Sequence, residues 1–184
     1  YGISRQIGAN DGHDQLVIRG LWGPGSYQIA GGKETAGVIV NDPSLCYVLA
    51  QRDTTTQSMT SGVSATLTWT QAPFPDRRGA LNLGAGTFTV PANAAGLYSV
   101  DFDVFFSGTA MTATSSFVEL KVNGSTKKQW FANAYSTTKL QVQGSHDFYM
   151  NAGDSIVLAA TVVGTSPVFG DASWPSNFSV SRIA

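Results

Sequence analysis

From Tyr98 to Phe106 the chain reads YSVDFDVFF, with Tyr98, Val100, Phe102, Val104 and Phe106 at every second position and Ser99, Asp101, Asp103 and Phe105 between them. Side chains of an extended chain point alternately to its two sides, so a strand here has one dry face and one wetter face. The same period recurs in shorter pieces along the sequence, whereas no run of about ten residues carries the 3.6-residue apolar period of a helix. These two features restrict the chain to sheets.

Short strands are expected at 16–20 (LVIRG), 36–40 (AGVIV) and 45–50 (LCYVLA), then at 86–91, 97–107, 115–123, 127–132, 138–143, 154–163 and 176–183; ATLTWTQ at 65–71 also alternates. Asn123-Gly124 and Ala152-Gly153-Asp154 supply turn residues between them. Spacing of this kind indicates an antiparallel all-β sandwich or barrel. Residues 1–15, which contain NDGHD, read as a turn-rich beginning that stays mobile unless packed. The polar stretch TTTQSMTSG at 54–62 reads as a long loop or linker, dividing a β-rich N-terminal segment, 1–61, from a larger part, 62–184. In DSIVLAATVVG, Ile156, Leu158, Ala160 and Val162 share one face, but Val157, Ala159 and Val163 make the other face apolar too. Both faces of such a strand need cover, and a neighbouring subunit is one source of it.

Charged residues are only 12% of the chain, against roughly 25% in an ordinary domain. The surface therefore leans on Ser, Thr, Asn and Gln. Eleven Lys and Arg against twelve Asp and Glu leave a formal charge of −1. The basic residues are never more than paired (Arg77-Arg78, Lys127-Lys128), so contact with nucleic acid, which needs several cations on one face, is not expected. No apolar run is long enough for a membrane-spanning helix, and membrane insertion is not expected. Cys46, the single cysteine, lies in apolar LCYVLA and reads as a buried free thiol. The chain begins with Tyr, which is read as the start of a fragment or processed product.

The stretch FTVPANAAGLYSVDFDVFF (88–106) resembles the entry to the central strand of the C1q and tumour-necrosis-factor-like head, a segment of the type F-x-V-P-x-x-G-x-Y-x-F. Phe88, Val90, Pro91, Gly96, Tyr98 and Phe102 occupy that pattern, with Val100 where the family has Phe. VELKVNG (118–124), MNAGDSIVLAATVVG (150–164) and SNFSVSRI (176–183) resemble the family's later strands in the expected order. In the last of these Val180 replaces a glycine, and Arg182 stands among normally apolar positions. The resemblance covers about 62–184. It implies a C1q/TNF-like jelly-roll sandwich, here with an additional β-rich N-terminal segment, that assembles as a homotrimer and binds or scaffolds rather than catalyses.

Asp101 and Asp103 point the same way, about 6 to 7 Å apart, a separation that suits paired carboxylates in glycoside hydrolysis. Such a pair needs a cleft and a perturbed partner, and the bland reading is a polar or subunit-facing strand surface. The resemblance adds one further role, because trimeric heads of this kind can hold calcium on hard oxygen ligands, for which Asp101 and Asp103 are the candidates. No other cofactor is expected. Asp11, His13 and Asp14 read as a turn in a terminus, and His146-Asp147 as a loop. There is no H-x-x-x-H, phosphate-binding glycine loop or G-x-S-x-G elbow, so no catalytic residue is assigned.

Aromatics on loops offer rigid apolar faces to a partner. Trp130 and Tyr135 bracket one candidate binding loop, Phe169 and Trp174 another. Asn123-Gly-Ser125 and Asn177-Phe-Ser179 match glycan acceptors. A low-charge, Ser/Thr-rich chain without disulfides suits a virion or phage surface protein: a non-enzymatic homotrimeric spike or fibre head that attaches to a host cell-surface protein or glycan and contacts other virion proteins. The alternatives are a capsid subunit of the shell, or a secreted C1q-like module that binds protein or carbohydrate. The expected location is the virion surface or the extracellular space.

Overall fold

A computed structural model describes residues 3–7, 14–19, 26–31, 47–53, 55–73, 80–170 and 173–183. The chain divides into two compact units, Tyr1–Leu45 and Cys46–Ala184. In the first, β1 (Ile3–Ile7), β2 (Asp14–Arg19) and β3 (Ser26–Gly31) form an antiparallel meander. Ile3 stands opposite Ile18, and Arg19 opposite Ser26. Within the turn-rich beginning expected for 1–15, β1 is a strand paired along one edge with β2. The strand expected at 36–40, Cys46, Asp11 and His13 lie outside the described residues.

The second unit is an antiparallel sandwich. Its strands are β4 (Tyr47–Arg52), β5 (Gln57–Ser58), β6 (Ala65–Thr66), β7 (Leu81–Asn82), β8 (Thr87–Thr89), β9 (Gly96–Thr109), β10 (Phe117–Val122), β11 (Ser125–Phe131), β12 (Asn133–Ser136), β13 (Lys139–Met150), β14 (Ser155–Thr161), β15 (Thr165–Phe169) and β16 (Ser176–Arg182). One sheet runs β11-β10-β14-β8-β7, with β6 also on β14; the other runs β12-β13-β9-β15-β5, with β16 between β9 and β4. Because β4 and β5 belong to this second sheet, the division of the chain falls at Leu45/Cys46, earlier than the expected 61/62.

β9 organises the unit. One edge pairs with β13 from Gly96 to Ser107; the other pairs with β16 over Tyr98–Asp103 and then with β15 from Phe106. Where β16 gives way to β15, the Phe105 amide donates to the buried Ser176 hydroxyl at 2.9 Å. Tyr98, Val100, Phe102, Val104 and Phe106 are buried, as their spacing predicts, and meet Phe88, Leu120, Ile156 and Leu158 of the opposite sheet in one core. Trp69 stacks on Phe178 and meets Phe169 edge-on, with ring centres 5.5 and 5.3 Å apart. These aromatics close the core at an end where β5 and β6 are only two residues long.

Local chemistry explains the turns. Asn123 and Gly124 have φ of 49° and 78°, the left-handed pair that a two-residue hairpin requires. The Asn123 amide nitrogen donates to Asp154 Oδ1 at 2.8 Å, the Ser155 N–H donates to Asn123 Oδ1 at 2.9 Å, and the Asn151 N–H donates to Asp154 Oδ2 at 2.8 Å. This tie joins the β10–β11 turn to the β13–β14 turn. It holds the Asp154 carboxyl below its ordinary value, first through the Asn123 side chain and then through the Asn151 backbone.

Gly144 sits opposite Phe102 in the ladder. A Cβ there would come within 2.6 Å of both Phe102 Cζ and Trp130 Cε2, so glycine lets those two rings lie over the strand. On β14 the second apolar face is partly closed by the chain itself: Ala159, between Glu119 and Thr66 in register, is 3% exposed.

Two consequences are measurable by denaturation. Gly144→Ala lowers stability by about 1 to 3 kcal/mol through overpacking, whereas Gly84→Ala, whose added Cβ meets nothing nearer than 3.9 Å, changes it by less than about 0.5 kcal/mol. A carboxyl depressed in the folded state contributes stability that is present above its unfolded value, about 3.9, and is lost as pH falls through the folded value. The Tm difference between wild type and Asp154→Asn is therefore constant above about pH 5 and closes on acidification below about pH 4.

Candidate functional site

The period-two rule that buries one side of β9 turns Leu97, Ser99, Asp101, Asp103 and Phe105 to the other side, the outward face of the seven-stranded sheet. Register sets Gln141 and Gln143 of β13 on one flank and Asn177 and Ser179 of β16 on the other. An open recess of about 420 Å³ lies among Asp101, Asp103, Gln143, Gly144, Asn177 and Ser179. Asp103 is held by two carboxamides: Gln141 Nε2 donates to Oδ1 at 2.9 Å and Gln143 Nε2 to Oδ2 at 3.1 Å. Asp101 is exposed, and its carboxylate accepts a long bond from Ser99 Oγ at 3.4 Å. Gln51 Nε2 donates to Asn177 Oδ1 at 2.7 Å, continuing the polar strip to β4.

This arrangement makes the two aspartates neighbours on a polar sheet surface, with Asp103 already committed to amide donors. Hard oxygen donors suit calcium rather than zinc. Two carboxylates fall short of the ligand set calcium collects, and among the described residues no three His, Cys, Asp or Glu side chains converge as metal ligands.

The four aromatics separate into two pairs. Trp130 is half-buried on β11, its ring edge-on to Phe102 at 5.0 Å, and Phe169 is 0% exposed on β15, packed on Trp69 and Phe106 with the Arg52 guanidinium 5.5 Å from its ring centre. The reading of Phe169 as a displayed loop aromatic is corrected by that burial: it belongs to a strand whose inward positions are Pro167 and Phe169. Tyr135 and Trp174 do meet, with ring centres 5.1 Å apart, and Phe105 and the Lys139 ammonium lie 5.4 Å from the Trp174 ring. Tyr135 remains 59% exposed, so this shelf presents aromatic surface to solvent. His146 is on β13, stacked with Phe148 at 5.8 Å, and not in a loop.

At the far end of the same outward face the sequence reading missed a second apolar group. Leu97 pairs across the ladder with Tyr149, and the Ile183 N–H donates to the Leu97 carbonyl at 2.8 Å. Their exposures of 36%, 67% and 51% leave a contiguous apolar patch beside the polar strip. Continuing the alternation of β13 beyond residue 143 would have revealed it. The outer surface of the opposite sheet carries Lys121 paired with Glu119 at 3.1 Å, Thr126 bonded to Glu119, and the exposed Phe131 edge-on to Phe117.

Among solved structures the chain is similar to the globular domain of zebrafish complement 1qA protein, at 14% identity and a TM-score of 0.53, covering 75% of this chain and 97% of that one. It is also similar to Eiger TNF from S. frugiperda, at 15% identity and a TM-score of 0.53, covering 75% and 93%. A murine APRIL structure shares 13% identity with a TM-score of 0.51, covering 75% and 100%. No family model and no curated protein matches the sequence. The likeness establishes the fold: an all-β, C1q/TNF-like jelly-roll sandwich. No helix among the described residues is long and apolar enough to cross a membrane.

The separation of the aromatics has a direct test. Phe169→Ala lowers folding stability by about 3 to 5 kcal/mol, while Trp174→Ala, at a half-buried surface position, lowers it by about 1 kcal/mol. Equal losses in urea titrations of the two variants would contradict the placement.

Proposed function

We propose that this C1q/TNF-like domain is a non-enzymatic attachment head on a virion or phage surface, assembled as a homotrimer through the Leu97–Tyr149–Ile183 end of its seven-stranded sheet's outward face, which leaves the Tyr135–Trp174 end open. The observation that carries the reading is the Leu97–Tyr149–Ile183 patch, exposed beside the Asp101–Asn177 polar strip. Exposed apolar groups beside neutral hydrogen-bonding side chains are what a self-complementary interface buries. A charged fraction of 12% is consistent with a chain that hides part of its surface in an assembly. Asp101 and Asp103 lie within this face; calcium is the cation they would hold, with further oxygens from neighbouring copies.

Attachment falls to the Tyr135–Trp174 shelf, which offers rigid aromatic surface beside the Lys139 cation to a host protein or glycan. The fixed Asp103 and the absence of any recognised catalytic motif support binding over turnover. Sequence upstream of Tyr1 discriminates the related roles. A repetitive or glycine-rich shaft supports the spike, a basic arm points to a capsid subunit, and collagen-like repeats point to a secreted module.

Light scattering at micromolar concentration gives three times the 19.4 kDa chain mass, and Tyr149→Asp shifts it toward the monomer. A monodisperse wild-type monomer would contradict the assembly. Trp174→Ala reduces binding to host cells or arrayed glycans by about 2 kcal/mol or more, and turnover of an arrayed sugar that depended on Asp101 would overturn the non-enzymatic reading.

A further inference from the structure

A second concavity lies away from the Tyr135–Trp174 shelf, where the β10–β11 turn, the second half of β13 and the β13–β14 turn come together. Its volume is about 560 Å³, within the range of clefts that hold small ligands. His146 and Phe148 line it as successive same-side residues of β13, their rings nearly parallel at 24° and 5.8 Å between centres. Neither ring is fully buried, so each offers part of its surface to the cleft. Val122 and Tyr149 add apolar surface at the margin.

The polar groups gather around the rings. Asn123, Ser125, Lys127, Asn151 and Asp154 line the same cleft. Asn123 and Asp154 are held by each other and by the Ser155 and Asn151 backbone, as described above, so they need no reordering to receive a ligand. The Asp154 oxygens accept bonds from Asn123 and Asn151 and retain acceptor capacity. Lys127 forms no ion pair among the described residues, but acts on Asp154 through space. Cation and carboxylate thus face the same cleft and offset one another.

We propose that this cleft binds one or two rings of a neutral saccharide. The C–H face of a pyranose lies against His146 and Phe148, and its hydroxyls exchange hydrogen bonds with Asn123, Asn151, Asp154 and Lys127. Flat apolar walls with a rim of fixed donors and acceptors fit that chemistry, since a sugar ring has an apolar face and a polar circumference. A phosphate or polyanionic ligand fits poorly, because Asp154 opposes it and Lys127 is the cleft's only lysine or arginine among the described residues. The His146–Phe148 pair and the polar groups of the site all come from one chain, while Tyr149 at its margin also belongs to the proposed assembly face.

Amide NMR titrations with D-galactose, N-acetyl-D-glucosamine and D-glucuronate test the proposal. At least one neutral sugar gives saturable shifts centred on residues 122–127 and 146–154, with Kd near 1 mM, as a shallow site implies. His146→Ala and Phe148→Ala each weaken that binding about tenfold, while Trp174→Ala leaves it unchanged. Should Phe148→Ala unfold, His146→Ala and Lys127→Ala carry the test. No saturable shift with either neutral sugar would overturn the site. Shifts centred on Tyr135 and Trp174 would overturn its location, and tighter binding of glucuronate would overturn the neutral assignment.

Discussion

The second unit depends on β9 being hydrogen-bonded along both edges while its side chains alternate without interruption from Gly96 to Phe106. Two-sided pairing fixes the register of β13, β16 and β15 against one strand. A slip of one residue would carry Tyr98, Val100, Phe102, Val104 and Phe106 to the solvent side together. Burial of those five groups against the opposite sheet therefore selects a single alignment for the strands around them. The same selection decides the chemistry of the other face. Asp101 is next to Ser179 and Ser145, and Asp103 next to Asn177 and Gln143, because the core side admits no other register.

The two outer surfaces of the sandwich follow from different solutions to the same problem. On the six-stranded sheet, charge appears as a paired Lys121 and Glu119, and the apolar Ala159 is small enough to disappear between its neighbours. On the seven-stranded sheet Asp101, Asp103 and Asp147 stand among neutral polar side chains, and large apolar side chains are exposed at the end of the strip. A surface in lasting contact with water gains little from leaving Tyr149 and Ile183 bare, whereas a surface covered by another copy gains their full burial. The grouping of three such side chains at one end of the seven-stranded sheet underlies the assignment of that end to assembly. The tie between Asn123 and Asp154 serves a separate end: it braces two turns so that the cleft beside them keeps its shape.

Much of this was readable from the residues. Alternation located β9, β10, β14 and β16, and Asn123-Gly124 marked its hairpin, because those signals are local. The strands that escaped had their local signals weakened. β15 contains Pro167, which is tolerated where its pairing with β9 shifts register between Thr165 and Val168. The second half of β13 carries Gly144, Ser145 and Asp147, residues poor in strand propensity, and it persists because all of it pairs with β9. β12, exposed throughout, is defined by its partner strand alone. Sites were less legible than strands for the same reason. Tyr135 and Trp174 meet through tertiary placement, Phe169 looks like a loop aromatic until β15 is recognised, and the Leu97–Tyr149 pair exists only once β13 runs to Met150.

The most direct test of the account is side-chain labelling by hydroxyl radicals at a concentration where the chain is associated. The account predicts that Leu97, Tyr149 and Ile183 label far less than their exposure in a single chain allows, while Phe131 and Val63, exposed on other parts of the surface, label freely. Strong labelling of Tyr149 at a level matching Phe131 would contradict it, since that end of the seven-stranded sheet's outward face would then be open to water.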